Sequence, residues 1–311
     1  MRYAVRKVLY VIPVLLAVSF LTFLLVNLLP GGPEVAILGA NASEENREQV
    51  REDLNLDRPL PVRYVDWLGD AVIGDFGQSY ITDEEVSTTI NERIGNTLYL
   101  LIYAQLIALA IGIPLGILAA QRPGGLLDTA ASSTAFVFLA VPSFVLAYVL
   151  SYLFAYKLGW FPTLFDADAR LTSLFLPALS LAAAEAAVYL RILRSDMVAT
   201  LQEDYITMAK AKGLSRSRIL LRHAFRPSTF TLVTLAGLNM ARLIGGAFVI
   251  ENIFAINGIG RLAITSVLKR DYLVVQGVVL VVAVAYVLFN LVIDLLYAYL
   301  DPRIRHARAL S

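Results

Sequence analysis

Apolar runs of span length recur along this chain, and they constrain its fold more than any other feature. Residues 8–29, 97–120, 131–156, 174–197, 228–250 and 273–299 are each close to the roughly 20 residues a helix needs to cross the hydrocarbon core of a bilayer. Backbone amides in lipid must bond within their own segment, so each run is expected to be helical. The fold class that follows is an all-α membrane protein with six transmembrane helices. The run 174–197 is the weakest, because Glu185 lies inside it. The first run is too long for the core of a cleavable signal peptide and lacks a small-x-small cleavage site, so it reads as a retained span.

Lys and Arg set the expected orientation. Arg2, Arg6 and Lys7 precede the first span, Arg122 lies between the second and third, a dense set from Arg191 to Arg226 lies between the fourth and fifth, and Arg303, Arg305 and Arg308 follow the sixth. With six spans all four groups fall on one side, which the positive-inside rule makes cytoplasmic, together with both termini. The opposite side receives residues 31–95, rich in Asp and Glu. Ser43 ahead of Glu44 and Glu45 reads as a capped helix start. Val62, Val65, Leu68 and Val72 with Tyr64 and Trp67 read as a second, amphipathic helix. Glu84 to Arg93 reads as a third, on the surface before span two. The expectation is a small extracytoplasmic helical subdomain over the bundle mouth.

Composition removes several function classes. A net charge of +1 implies no nucleic-acid partner. With no cysteine and two histidines, His223 and His306, the chain offers no thiolate chemistry and no histidine metal site. No His-Glu-x-x-His or Gly-x-Ser-x-Gly constellation marks an intramembrane enzyme, so the chain reads as non-catalytic. A secondary transporter or channel is the rival class, but no paired inverted repeat is evident.

The cytoplasmic insert 203–226 is the distinctive element. Asp204 to Lys212 reads as a short helix, Gly213 as its stop through positive φ, Ser215 as the cap of a second helix, Arg216 to Phe225, and Pro227 as the start of span five. Such an elbow would expose Tyr205, Met208, Leu214 and Ile219 on one side and Lys and Arg on the other. Basic helices of this kind also touch anionic headgroups. The Gly213 stop and the exposed apolar residues favour a protein groove.

The pattern Asp204-Tyr205-x-x-x-Ala209-x-Ala211-Lys212-Gly213-Leu214-Ser215, with His223-Ala224-x-Arg226 beyond it, resembles the coupling loop of binding-protein-dependent ABC importers. It is most similar to dipeptide/oligopeptide permeases of the type with a long external segment after span one. Leu28-Leu29-Pro30-Gly31, Leu54, Gly74-Asp75-Phe76-Gly77, Pro142-Ser143-Phe144, Leu176-Pro177-Ala178, Arg270-Asp271-Tyr272 and Asp301-Pro302-Arg303 extend the resemblance over nearly the whole chain. Departures from the family pattern are Arg226-Pro227-Ser228 at the start of span five, Ile256-Asn257-Gly258 near the outer loop, and Thr207-Met208 in the coupling helix.

The resemblance implies an ABC transmembrane type-1 domain over 96–300, a cytoplasmic tail at 301–311 and a location in the plasma (inner) membrane of a prokaryote. It further implies a second homologous permease subunit, two cytoplasmic ATPase subunits or domains that carry ATP and Mg, and an extracytoplasmic substrate-binding protein. This chain has no P-loop of its own. The implied ATPase-coupling residues are Asp204, Tyr205, Met208, Ala209, Ala211, Lys212, Gly213, Leu214, Ser215, Arg218, His223 and Arg226. The implied solute is a di- or oligopeptide, with nickel chelates and oligosaccharides as alternatives.

Charges inside spans usually face a cavity or a partner. Glu185 and Arg242, with Asn239, are therefore candidates for the translocation path, in contact with a zwitterionic or cationic solute. A structural pair between helices is the alternative for the two charges, and helix–helix adhesion for Asn239, Asn290 and Asp294. Gly112-x-x-x-Gly116 with Pro114 permits close packing or a kink.

Overall fold

The computed structural model describes residues 2–27, 34–35, 38–39, 42–53, 55–79 and 81–300, with the side chains of 2–10, 25–26 and 294–300 outside that description. The residues expected to match the family at 28–31, 54 and 301–303, and the basic tail, lie outside the described residues, as do the side chains of Arg2, Arg6, Lys7 and Asp294. The described regular structure is helical. The elements in order are α1 (Arg2–Asn27), α2 (Glu44–Asp53), α3 (Leu60–Val72), α4 (Val86–Ala120), α5 (Leu126–Ala140), α6 (Ser143–Leu150), α7 (Arg170–Ser173), α8 (Phe175–Thr200), α9 (Asp204–Ala211), α10 (Arg216–Arg218), α11 (Arg226–Ile253), α12 (Ile259–Lys269) and α13 (Tyr272–Leu300). Two stretches, Ser151–Lys157 after α6 and Ile219–Phe225 between α10 and α11, wind as π-helix.

Four helical segments are long and apolar enough to cross a membrane alone: Val86–Ala120, Phe175–Thr200, Arg216–Ile253 and Tyr272–Ile293. The third expected span is not one straight helix. It is broken between α5 and α6, which are bent by 103°. Val141 is extended there (φ −85°, ψ 121°), as a residue preceding proline prefers, and Pro142 has no N–H to continue the ladder. The apolar stretch of α1 with described side chains, Val11–Leu24, is shorter than a full crossing.

The chain divides into two compact units, 1–97 with 257–291, and 98–256 with 292–311. In the first, the cap and the second helix form as expected, but Val62, Val65 and Val72 are exposed, and Tyr64 and Trp67 make the contacts instead. The Asn46 N–H donates to Ser43 Oγ at 3.3 Å. Tyr64 and Trp67 of α3 lie against Phe20 and Phe23 of α1, with ring centroids 5.2–5.6 Å apart across the helices. The Tyr64 hydroxyl also lies 2.8 Å from Ser19 Oγ. The third external helix is corrected: Val86 to Arg93 are the opening turns of α4 itself, and Glu84 and Glu85 precede it. Burial explains the continuity. Val86 and Ile90 pack with Ile259 and Leu262 of α12 and Val274 and Val278 of α13, so an apolar stripe holds the helix in register beyond the lipid-length run.

The second unit is organised around α8. Tyr189, Leu193 and Met197 are fully buried among residues of α4, the π-helical stretch after α10, and α11. The two glycines of span two make the contact. A Cβ on Gly112 would lie 2.9 Å from both the Ala186 carbonyl oxygen and Tyr189 Cβ, and one on Gly116 would lie 3.1 Å from the Leu190 carbonyl oxygen. Pro114 is carried inside α4 without ending it. At the cytoplasmic edge expected from charge, ahead of the run 131–156, Arg194 of α8 grips Asp128 of α5 with two bonds, Nε to Oδ1 at 2.8 Å and Nη2 to Oδ2 at 2.7 Å.

These contacts generate a paired prediction. Gly112→Val should lower the thermal midpoint of the detergent-solubilised protein, because overpacking a close contact costs about 1–3 kcal/mol. Gly245→Ala, where an added Cβ meets nothing within 4 Å, should leave the midpoint unchanged or raise it slightly. Equal effects in a thermal-shift measurement would show that the Gly112 contact does not hold the helices together.

Candidate functional site

The insert folds as the elbow expected, with one difference that matters. Helix α9 ends in a complete Schellman motif: the Leu214 N–H donates to the Ala209 carbonyl at 3.2 Å, and the Gly213 N–H donates to the Lys210 carbonyl at 3.0 Å. Gly213 takes φ +75°, which a side chain would strain. Ser215 then caps the next turn, its Oγ accepting the Arg218 N–H at 3.4 Å. From Arg216 the chain does not stop at Pro227. It continues through the π-helical stretch into α11, giving one 38-residue helix, Arg216–Ile253. The second arm of the elbow is therefore continuous with span five, as a single rod.

Proline is tolerated here because of its position. Pro227 sits in the first turn of α11. An α-helix would pair the N–H of residue 227 with the His223 carbonyl, and proline has none. The Tyr205 hydroxyl donates to that carbonyl at 3.2 Å, tying α9 to the span-five rod. Partial burial, then the Glu203 carboxylate, push the Tyr205 phenol up, so it stays protonated and donates at neutral pH. A second tie joins Arg216 Nη2 to the Gln121 carbonyl at 2.7 Å, in the connection between spans two and three.

The exposed face differs from expectation in part. Tyr205 is 44% and Met208 62% exposed, as expected. Leu214 is half-buried and Ile219 is buried, which corrects the sequence reading. Ile219 packs with Ile206 and Ala209, Leu201 and Leu214 beside them, in a small core that seats α9 on the rod. Ile206, fully buried, is the anchor that the sequence reading missed; its spacing of three from Ala209 was the available signal. Asp204, Ala211, Lys212, Ser215, Arg218 and Arg226 are exposed, and His223 is half-buried. Beneath the elbow lies a cavity of about 470 Å³ lined by Gln121, Val198, Gln202, Lys210, Leu214 and Arg216 among others.

The membrane candidates are brought together. Arg242 Nη2 of α11 donates to Glu185 Oε1 of α8 at 2.8 Å. Glu185 is 4% exposed, whereas the Arg242 side chain is 61% exposed. Glu185 Oε2 is buried without a hydrogen-bond partner, and Asn239 lies within reach of the Tyr189 hydroxyl. The buried Tyr189 hydroxyl lies beside this group and is bracketed by the Gln105 amide at 3.0 and 3.2 Å. The two charges thus bond across α8 and α11, with the cation at the outside.

The strut has a consequence for local order. Tyr205→Phe keeps the ring and removes the donor to His223. Amide exchange across 204–226 should quicken about fivefold, the scale of one net hydrogen bond of about 1 kcal/mol. Adding Pro227→Ala, which restores an N–H, should slow it again. Exchange unchanged by Tyr205→Phe would show that the strut carries no load.

Comparison with known proteins follows this geometry. Residues 112–306 match the family described as binding-protein-dependent transport system inner membrane component, and residues 1–101 match the family described as binding-protein-dependent transport system membrane component, N-terminal. The chain is 38% identical to the oligopeptide transport system permease protein AppB of Bacillus subtilis, over 98% of this chain and 99% of that protein. It is 40% identical to a putative peptide transport system permease protein of Brucella abortus, over 97% and 98%. It is 39% identical to the glutathione transport system permease protein GsiC of Pectobacterium atrosepticum, over 98% and 99%. Among solved structures, an inward-facing MetNI methionine ABC transporter chain superposes with a TM-score of 0.58 at 16% identity, covering 68% of this chain and 96% of that one, which supports the fold. With its elbow, its apolar helices and these matches over both parts of its length, the chain belongs to the binding-protein-dependent transport system inner membrane components, the permease family of ABC importers.

Proposed function

We propose that this permease carries di- or oligopeptides inward as half of a translocation pathway whose other half is a second, homologous subunit. The relatives named for oligopeptide, peptide and glutathione transport support that substrate class. The chain crosses the membrane six times, α1 and the bent pair α5–α6 making the two spans beyond the four long ones, with both ends cytoplasmic. Residues 31–95 receive an extracytoplasmic binding protein, and 96–300 form the transport domain.

One observation carries the coupling role. Tyr205 and Met208 stand exposed on a short helix that is seated through Ile206 on the rod of span five. Two ATPase subunits, holding ATP and Mg, grip this helix together with Asp204, Lys212, Ser215, Arg218 and Arg226. Ala209, Gly213 and Leu214 set its shape, Ala211 adds a small exposed surface, and His223 is reached through Tyr205. Closure of the ATPases displaces α9, and the continuous helix passes the displacement to the path. ATP then shifts an inward–outward equilibrium through its differential contacts in the two states. Glu185, Arg242 and Asn239 belong to that path.

Met208→Asp should reduce peptide-stimulated ATP hydrolysis and uptake in the reconstituted importer by at least about tenfold, since a carboxylate is costly at an apolar contact. The thermal midpoint of the permease should not move, because Met208 is exposed in this chain. Uptake at the wild-type rate with no ATPase subunit present would overturn the reading.

A further inference from the structure

Between residues 238 and 252, Leu238, Arg242, Gly245, Val249 and Asn252 recur at helical spacing and share one exposed stripe of α11. The helix's other side is packed: Leu243, Ile244 and Ala247 are buried, and Gly246 lies against Leu181. A charged side chain at a span centre costs about 2.5–3.5 kcal/mol on insertion scales, so the stripe carrying Arg242 faces water or protein rather than lipid. One turn along, Gly245 leaves open space beside the guanidinium, with nothing within 4 Å of an added Cβ.

Arginine has five N–H donors in a planar fork that matches a carboxylate. In Arg242 one of them goes to Glu185, whose second oxygen is buried and without a partner. A polar atom left in this condition costs stability. We propose that Arg242 is the contact in the membrane path for a solute carboxylate, and that Glu185 anchors the guanidinium and competes with the solute for it. This rests on the peptide-import reading above and names the end of the peptide that the path recognises. The sequence reading allowed a cationic solute. An exposed guanidinium in front of a buried carboxylate favours an anionic group instead.

Removing Arg242 alone would strand a buried carboxylate, so the test is made in a neutral background. The importer, reconstituted with its partner subunits and binding protein, is supplied with trialanine or trialanine amide at saturating loaded binding protein. Glu185→Gln should raise trialanine uptake relative to trialanine amide, because the guanidinium loses its competitor. Adding Arg242→Gln should lower it about tenfold while leaving the amide rate unchanged, so that the acid-over-amide preference disappears. Equal loss for acid and amide, or loss already complete in Glu185→Gln, would overturn the carboxylate site in favour of a structural pair. Loss of the partner permease on purification of the double variant would overturn it in favour of a subunit contact. Wild-type protein that imports neither probe would overturn the peptide reading itself, and this inference with it.

Discussion

Two missing side chains hold the larger unit together. At Gly112 and Gly116, span two lies against the backbone of span four closely enough that a methyl group would overlap its neighbours at the first and crowd them at the second. In lipid there is little hydrophobic reward for joining helices, so packing of this kind and interhelical hydrogen bonds supply the cohesion. The bond between Gln105 and Tyr189 sits beside the contact, and the Arg194–Asp128 pair ties α8 to the start of α5. Span four can then carry a buried acid without losing its place.

That fixed helix gives the elbow something to act against. The small core of Ile206, Ala209 and Ile219 seats α9, and the Gly213 turn lets the chain reverse without strain. Because the second arm is continuous with span five, the elbow is one end of a rigid rod rather than a hinge between two helices. Pro227 fits this arrangement: it removes one rung from the helix ladder, and Tyr205 answers the carbonyl that is left. The same rod bears Arg242 further along. The exposed elbow and Arg242 are therefore parts of one element.

Residue by residue, the elbow was largely legible in advance. Gly213 and Ser215 form the expected stop and cap because these depend on local backbone chemistry, and Tyr205 and Met208 are exposed as expected. Leu214 and Ile219 were misplaced because a short helix has several apolar residues and only its neighbours decide which of them is covered. The turns at 86–93 looked like a surface helix because their pattern is polar on one side. Val86 and Ile90 meet α12 and α13 there, and residues nearly two hundred positions away leave no local trace.

The sequence by itself determined the class of the molecule: apolar runs of bilayer length, a positive bias on alternate connections, an acidic outer segment and a coupling pattern. These follow from local composition and from the cost of unpaired backbone in lipid. Tertiary structure decided the break at Pro142, the continuity of span five through Pro227, and the pairing of Glu185 with Arg242. Each of these depends on what packs against the segment. A proline can bend a helix or be carried within it, and two charges 57 residues apart can face a solute or one another.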